Sequence, residues 1–371
     1  MFEGFKKPHF LGIDFGTSLI KAVELSVEKG RPKLVRYGQV SLARLEKGIV
    51  TGNNAYDDEV ALYLRALLDR LQPKSDGVYA AMPAFTGLVS LIEFPEMSEE
   101  ELPEAIKFEA RKYVPSSMDD VSLSWEIVGV RQAQGVERGV LEILLVAALN
   151  KEVSKYQKYV QDADKKMIFL ELETFSIARS IVGRDPGVFL VLDIGSRATN
   201  FILIDDGLVR MSANLDVGGL DVTRTIVDGL GVTADRAEAM KISARDFLNQ
   251  RESTLTFHAL EMIANEAKRM IAGYREKHPE QECQGIILSG GTAKMTGLST
   301  YFTRLFGIPV KVGDPWRRVD CDPGVSAEVK RLGTSFSVAL GLALSGIDEI
   351  IQKKEPVVQK LFLEGSENKK I

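Results

Sequence analysis

The chain has 371 residues, 45% hydrophobic and 27% charged, a size and balance that fit a soluble globular protein of two or three domains. Its formal net charge of -5 argues against an electrostatically driven nucleic-acid binder. The two cysteines, Cys283 and Cys321, form no disulfide framework and no CxxC, and no apolar run reaches the ~20 residues of a membrane span. The residues before the first strand lack the apolar core of a secretory signal, so any membrane contact is expected through a partner or a peripheral surface.

Residues 10–16, FLGIDFG, read as a strand, 17–20 as a turn and 21–27 as the returning strand of a hairpin. A third strand is expected near 34–42. Residues 57–71 place Val60, Ala61, Leu64, Leu67, Leu68 and Leu71 on one helical face, with Asp57 as N-cap. Strands are expected at 78–81 and from Leu88 to Phe94. Ser98 and Glu101 form a capping box for a helix that must stop by Pro115. Two strands at 122–130 and 140–148, split by a Gln/Gly-rich turn, and a helix over 151–163 complete a compact α/β module that interrupts its surroundings. A short helix runs from Glu173 to about Val182.

The opening pattern then returns. FLVLDIG at 189–195 is a strand, 196–199 a turn and 200–204 the return. Aligning Asp14 with Asp193 also aligns Gly16 with Gly195, Thr17 with Ser196 and Val23 with Ile202. This internal repeat implies two related lobes, each opening with the same hairpin. Further on, a helix is expected over 254–276, with Leu255, Ala259, Met262, Ile263, Ala267, Met270, Ile271 and Tyr274 in period. A strand at 285–289 runs into Gly290, Gly291 and Thr292. Helices over 296–306 and the small-residue stretch 335–344 follow, then a charged aperiodic tail at 352–371.

An Asp-x-Gly-Thr/Ser turn has a definite chemical use. Its glycine lets backbone approach a ligand, and successive N–H groups make a concavity for phosphate oxygens. A carboxylate at the strand end can hold Mg²⁺ through water. Two such hairpins would hold phosphates from two sides, and a Gly-Gly step between strand and helix suits a ribose or α-phosphate. Alone, each turn could be an ordinary hairpin; the ordered duplicate plus the later SGG step favours the ligand. Neither GxxxxGK[ST] nor a GxGxxG after a strand is present, so the P-loop and Rossmann readings lose their main support.

The ordered set resembles the actin/Hsp70/sugar-kinase superfamily. FLGIDFGTSLIKAVELS, MSEEELPEAIKFEARKYVP, VLDIGSRATNFILIDDG and ILSGGTAKMTGLSTYF resemble, more narrowly, the PilM family of type IV pilus assembly proteins, relatives of the cell-division protein FtsA. The similarity runs from Phe10 to about Ile347. It implies an α/β actin-like ATPase fold: two duplicated RNase H-like lobes with an inserted FtsA-like α+β subdomain. The implied division is 1–81, 160–185 and 335–355 for the first lobe, 82–159 for the insertion and 186–334 for the second lobe, with a flexible tail at 356–371.

The resemblance also implies ATP and Mg²⁺ between the lobes. Asp14, Gly16, Thr17, Ser18 and Lys21 match phosphate-1, and Asp193, Gly195, Ser196, Arg197 and Thr199 match phosphate-2. Gly218 and Gly219 match a nucleotide-facing turn, Glu238 and Lys241 the adenosine side, and Gly290, Gly291 and Thr292 the adenosine motif. Asp14 and Asp193 would face the metal, and Glu173 would orient the attacking water, with Glu171 two residues away as its rival. Lys21 reads equally as a strand surface lysine, Arg197 could point to solvent, and Glu238 with Lys241 could be a solvated helix face. The three histidines and Trp125 and Trp316 sit in no motif and read as structural.

The implied function is an ATP-binding scaffold of a pilus or related inner-membrane platform, cytoplasmic and peripheral to the membrane through its partner. ATPase activity would be slow at most. The implied partner is the cytoplasmic N-terminal tail of a PilN-like membrane protein, docked between the first lobe and the insertion, with self-association and no nucleic acid. The rival readings are an FtsA-like division filament protein and a small-molecule kinase. The first would need a membrane-targeting C-terminal helix, which 355–371 make poorly; the second would need a base and a substrate pocket, for which no signature is found.

Overall fold

The computed structural model describes residues 8–42, 53–98, 100–114, 117–131, 139–249 and 255–352. The predicted tail after Lys354 and the Gln/Gly-rich turn lie outside them. The chain divides into two compact units. One holds Met1–Ser176, Arg318–Cys321 and Val338–Ile371; the other holds Ile177–Arg317 and Asp322–Ser337.

In the first unit, β1 (His9–Phe15), β2 (Leu19–Glu28) and β3 (Arg31–Ser41) form an antiparallel meander. Helix α1 (Asn53–Leu71) leads to β4 (Gly77–Met82), which pairs parallel to β1. The chain then leaves this sheet and returns as β8 (Lys166–Leu172), parallel to β4, giving the order β3-β2-β1-β4-β8. Strand β1 is central and buried on both faces, which explains its nearly unbroken apolar run.

Between β4 and β8 stands a second sheet, with β5 (Gly87–Pro95) and β6 (Val121–Arg131) on either side of β7 (Val140–Leu149). Helix α2 (Leu102–Ala110) covers one face, and Leu102, Ile106 and Ala110 pack with Ile92, Phe94, Ile143 and Leu145. The predicted capping box is present: Ser98 N donates to Glu101 Oε2 at 3.3 Å, and Glu101 N donates to Ser98 Oγ at 3.4 Å. Helix α3 (Asn150–Asp162) continues directly from β7 and leads back towards β8.

In the second unit, α4 (Glu173–Ile181), which begins at the end of the first, leads to β9 (Val188–Ile194), β10 (Thr199–Asp205) and β11 (Leu208–Leu215). Helices α5 (Gly219–Leu230), α6 (Ala234–Lys241) and α7 (His258–Lys277) precede β12 (Cys283–Ser289). Helix α8 (Leu298–Phe306) and β13 (Val310–Val312) complete a sheet of order β11-β10-β9-β12-β13. Position for position, this repeats the order and pairing of the first sheet. Its core gathers Leu190, Leu192, Phe201, Ile263, Ala267, Leu288 and Phe302.

Helix α9 (Pro323–Leu332) precedes α10 (Ser337–Gln352), whose small-residue face lies directly on β1. A Cβ on Gly12 would stand 2.7 Å from Ala343 N and would overlap Ala339 O, so only glycine permits this approach.

Three local expectations change. Asp57 is not an N-cap: α1 begins at Asn53, and the Asp57 carboxylate accepts the Tyr159 hydroxyl instead. Helix α7 begins at His258, so Leu255 precedes it, and Met262 is 49% exposed rather than on its buried face. Strands β8, β11 and β13 and helices α5 and α9 have no counterpart among the expected elements.

Candidate nucleotide-binding residues

The candidate residues of the first unit stand at the carboxyl ends of neighbouring strands. Asp14 is opposite Lys21 in the β1–β2 ladder and opposite Ala81 in the parallel β1–β4 pairing. Met82 is beside Leu172 at the ends of β4 and β8, so Glu173, the first residue of α4, follows at the same edge. Ligands of open α/β sheets gather at such carboxyl ends.

Asp14 is 4% exposed, and Lys21 Nζ lies 3.0 Å from its Oδ2. Lys21 is therefore no strand surface lysine. Gly16 closes the turn, since a Cβ there would stand 2.8 Å from Leu19 O. Ser18 O accepts Leu42 N at 2.9 Å, and Thr17 and Ser18 are half-buried. Glu173 Oε1 accepts the backbone N–H of Ala84 at 2.9 Å, whereas Glu171 is wholly buried.

The second unit repeats the placement. Asp193, 8% exposed, is the next-to-last residue of β9 and lies opposite Ser289, the last of β12. Gly195 N donates to Ala198 O at 3.0 Å, closing the turn, and Thr199 Oγ1 donates to Val217 O at 2.7 Å. The start of α5 is bonded onto that turn: Gly219 N donates to Gly195 O at 2.8 Å and Leu220 N to Ser196 O at 2.9 Å. The Asp221 carboxylate accepts Gly218 N at 2.9 Å, with the charge at the favourable end of the helix dipole. Arg197 is exposed.

Lys241 is buried at 3% exposure, not on a solvated helix face. Its three ammonium protons match three acceptors: Gly219 O at 3.1 Å, Thr223 Oγ1 at 3.0 Å and Glu238 Oε2 at 2.6 Å. A Cβ on Gly219 would overlap Thr292 Oγ1 and stand 3.1 Å from Lys241 Nζ. The 195–199 turn, the start of α5, the end of α6 and Thr292 thus meet at one point. Sequence reasoning missed Thr223, which lies one turn beyond Gly219, and gave no signal for Ala84.

The two glycines after β12 differ in kind. Gly290 has φ +83°, and its Cβ would overlap Ile194 O, so the fold requires it. Gly291 has φ -66°, and a Cβ there would meet nothing within 4 Å. The backbone gives no reason for glycine at 291; a ligand lying against that backbone would.

Two sheets of identical strand order, each opening with a hairpin whose strand-end aspartate precedes a glycine turn, define an actin-like ATPase fold. The profile of the type IV pilus assembly protein PilM family matches residues 12–347, and the chain belongs to that family. Among solved structures, a PilM-PilN type IV pilus biogenesis complex is similar, with TM-score 0.74 and 24% identity over 92% of this chain and 99% of that chain. The ethanolamine utilization protein EutJ of Carboxydothermus hydrogenoformans is similar in fold, with TM-score 0.51 and 17% identity over 92% of this chain and 90% of that one. FtsA of Pseudomonas aeruginosa is 23% identical over 91% of this chain and 89% of its own length. FtsA of Enterococcus hirae is 20% identical, covering 82% and 78%. Among the described residues no helix is long and apolar enough to cross a membrane.

Proposed function

We propose that this chain binds ATP with Mg²⁺ and serves as a peripheral component of a type IV pilus inner-membrane assembly platform. The observation that carries the nucleotide reading is the repeated strand-end arrangement, Asp14 beside Lys21 and Asp193 beside Ser289, with the start of α5 bonded onto the second turn. Thr17, Ser18, Ser196 and Arg197, with the backbone N–H groups of their turns, would hold phosphates, while the buried Thr199 hydroxyl is committed to Val217 O. Gly291 and Thr292 would face the nucleoside, and Asp14 and Asp193 the metal. One carboxylate per strand end is a donor set suited to Mg²⁺ sharing water and phosphate oxygens.

Lys241 supports this site from behind, since its ammonium is taken up by Gly219, Thr223 and Glu238. Glu173 would orient a water, and its bond to Ala84 N favours slow turnover and a nucleotide-dependent switch. Calorimetry with MgATP and MgADP tests the reading: micromolar MgATP binding supports it, and none would end it.

The partner reading rests on family membership and on the similarity to a PilM-PilN complex. The cytoplasmic N-terminal tail of a PilN-like protein would dock beside the inserted sheet, held by strand and pocket contacts. Deleting 82–159 should abolish binding of a tail peptide while MgATP binding persists. Similarity to FtsA over most of the chain keeps a division-type membrane role as the second reading. Recruitment to liposomes with no partner present would favour it.

A further inference from the structure

Helix α7 and the chain between α8 and β13 border a cavity of about 610 Å³ in the second unit, which the nucleotide reading does not use. Its floor is apolar: Ile271, Phe306 and Ile308 are half-buried and rest on the core of that unit. Two exposed cations stand over the floor. Lys268 Nζ lies 6.0 Å from the centroid of the Phe306 ring, and Arg275 follows two turns further along α7. Among the described residues neither of them has a carboxylate within ion-pair distance, whereas Arg269, the residue after Lys268, is bonded to Glu266 at 2.9 Å.

An apolar floor under unpaired cations suits an apolar segment that carries acids. The chain holds one beyond its described residues. Residues 355–367, EPVVQKLFLEGSE, place five apolar side chains within seven positions, with Glu355 before them and Glu364 and Glu367 after. Three carboxylates outweigh Lys360, so the segment is acidic. The apolar run is far too short to cross a membrane. Helix α10 ends at Gln352, and an extended chain covers about 3.3 Å per residue, so residues 353–371 can reach up to about 60 Å.

We propose that residues 355–367 dock in this groove of their own molecule, with the apolar run on Ile271, Phe306 and Ile308 and the carboxylates of Glu364 and Glu367 facing Lys268 and Arg275. A short peptide of this kind binds weakly when free, but tethering changes the arithmetic. With an effective concentration on the order of 1 mM, an intrinsic Kd on the order of 0.1 mM keeps the groove occupied about ten to one. The segment is then a tethered competitor for any partner that uses this face. The assignment is independent of the nucleotide reading, and its test needs no nucleotide.

Hydrogen exchange on the full chain tests it, in wild type, Phe362→Glu, Arg275→Glu, and Arg275→Glu combined with Glu364→Arg and Glu367→Arg. Exchange over 268–279 should be about fivefold or more slower in wild type than in Phe362→Glu, which leaves the groove itself unchanged. Arg275→Glu should lose that protection as well, although a carboxylate at a helix C-terminus loosens the last turn by itself. Return of the protection in the combined variant separates the two effects, and a combined variant that stays unprotected overturns the proposal. Equal exchange in wild type and Phe362→Glu also overturns it. Protection that grows with protein concentration between about 1 and 100 µM gives the groove to the segment of a second copy and overturns docking within one molecule. Binding to anionic liposomes that Phe362→Glu abolishes, with groove exchange unchanged, gives the segment to a membrane instead.

Discussion

Lys21 Nζ and Asp14 Oδ2 lie 3.0 Å apart across the first hairpin, with side chains only 14% and 6% exposed. The lysine that the motif assigns to phosphate is thus committed to the aspartate assigned to the metal. A ligand here meets a preformed ion pair, whose partners are already desolvated and oriented.

Asp14→Ala should weaken MgATP binding by about 30-fold, the loss expected for one strong charged contact. Lys21→Ala should instead cost about 3 kcal/mol of stability without any nucleotide, because it strands a buried carboxylate. Calorimetry and thermal melts separate the two. A melting point unchanged in Lys21→Ala would show that the pair opens freely to solvent.

Gly219 and Gly291 should respond in opposite ways to alanine. At Gly219 the added Cβ collides with Thr292 and crowds Lys241, so stability should fall by about 2 kcal/mol. At Gly291 it enters open space in a helical backbone conformation, and stability should hold or rise by about 0.5 kcal/mol. MgATP affinity should nevertheless fall in Gly291→Ala. Unchanged affinity there would remove that residue from the nucleoside site.

The lobes were legible because both hairpins carry apolar strands around a fixed Asp-x-Gly signature, and central strands tolerate little else. Strand β8 escaped notice because KMIFLEL runs without a break into the helix at Glu173, so no turn residue marks its end. Strand β11 lies at a sheet edge with mostly half-buried residues, which blurs its alternation. Helix α5 is entered through Gly218 and Gly219, which read as a turn; here they let the helix start close to the 195–199 turn. At the site, residue types marked the turns but not which charges are buried. Glu238 and Lys241 look alike in a charged stretch, yet one side chain is 49% exposed and the other 4%.

Lys241→Met tests that last point. Loss of its three bonds should lower stability by about 2 kcal/mol in the absence of nucleotide. A lysine on a solvated helix face would cost less than about 0.5 kcal/mol, a difference that urea melts resolve.

Stability should also carry a pH dependence from the inserted sheet. Burial pushes the Glu126 carboxyl up from 4.5 to about 7, and its Oε2 is buried with no hydrogen-bond partner. The folded pKa lies above the unfolded one, so the stability associated with the protonated form is complete below 4.5 and lost as pH rises through about 7. Solvent access to the rest of the side chain reduces the loss to about 1–2 kcal/mol. Glu126→Gln should flatten the melting temperature between about pH 5 and pH 8. A wild-type profile already flat over that range would contradict it.

The contact between Gly12 and α10 orders events on the ribosome. Strand β1 has one face meant for a helix that is synthesised only after the whole second sheet. Until Ser337–Gln352 is available, β1 keeps an apolar surface open while the second unit can already close around its own core. The nascent first unit is therefore the stage most in need of chaperone cover, and a chain halted before Ser337 should aggregate through it.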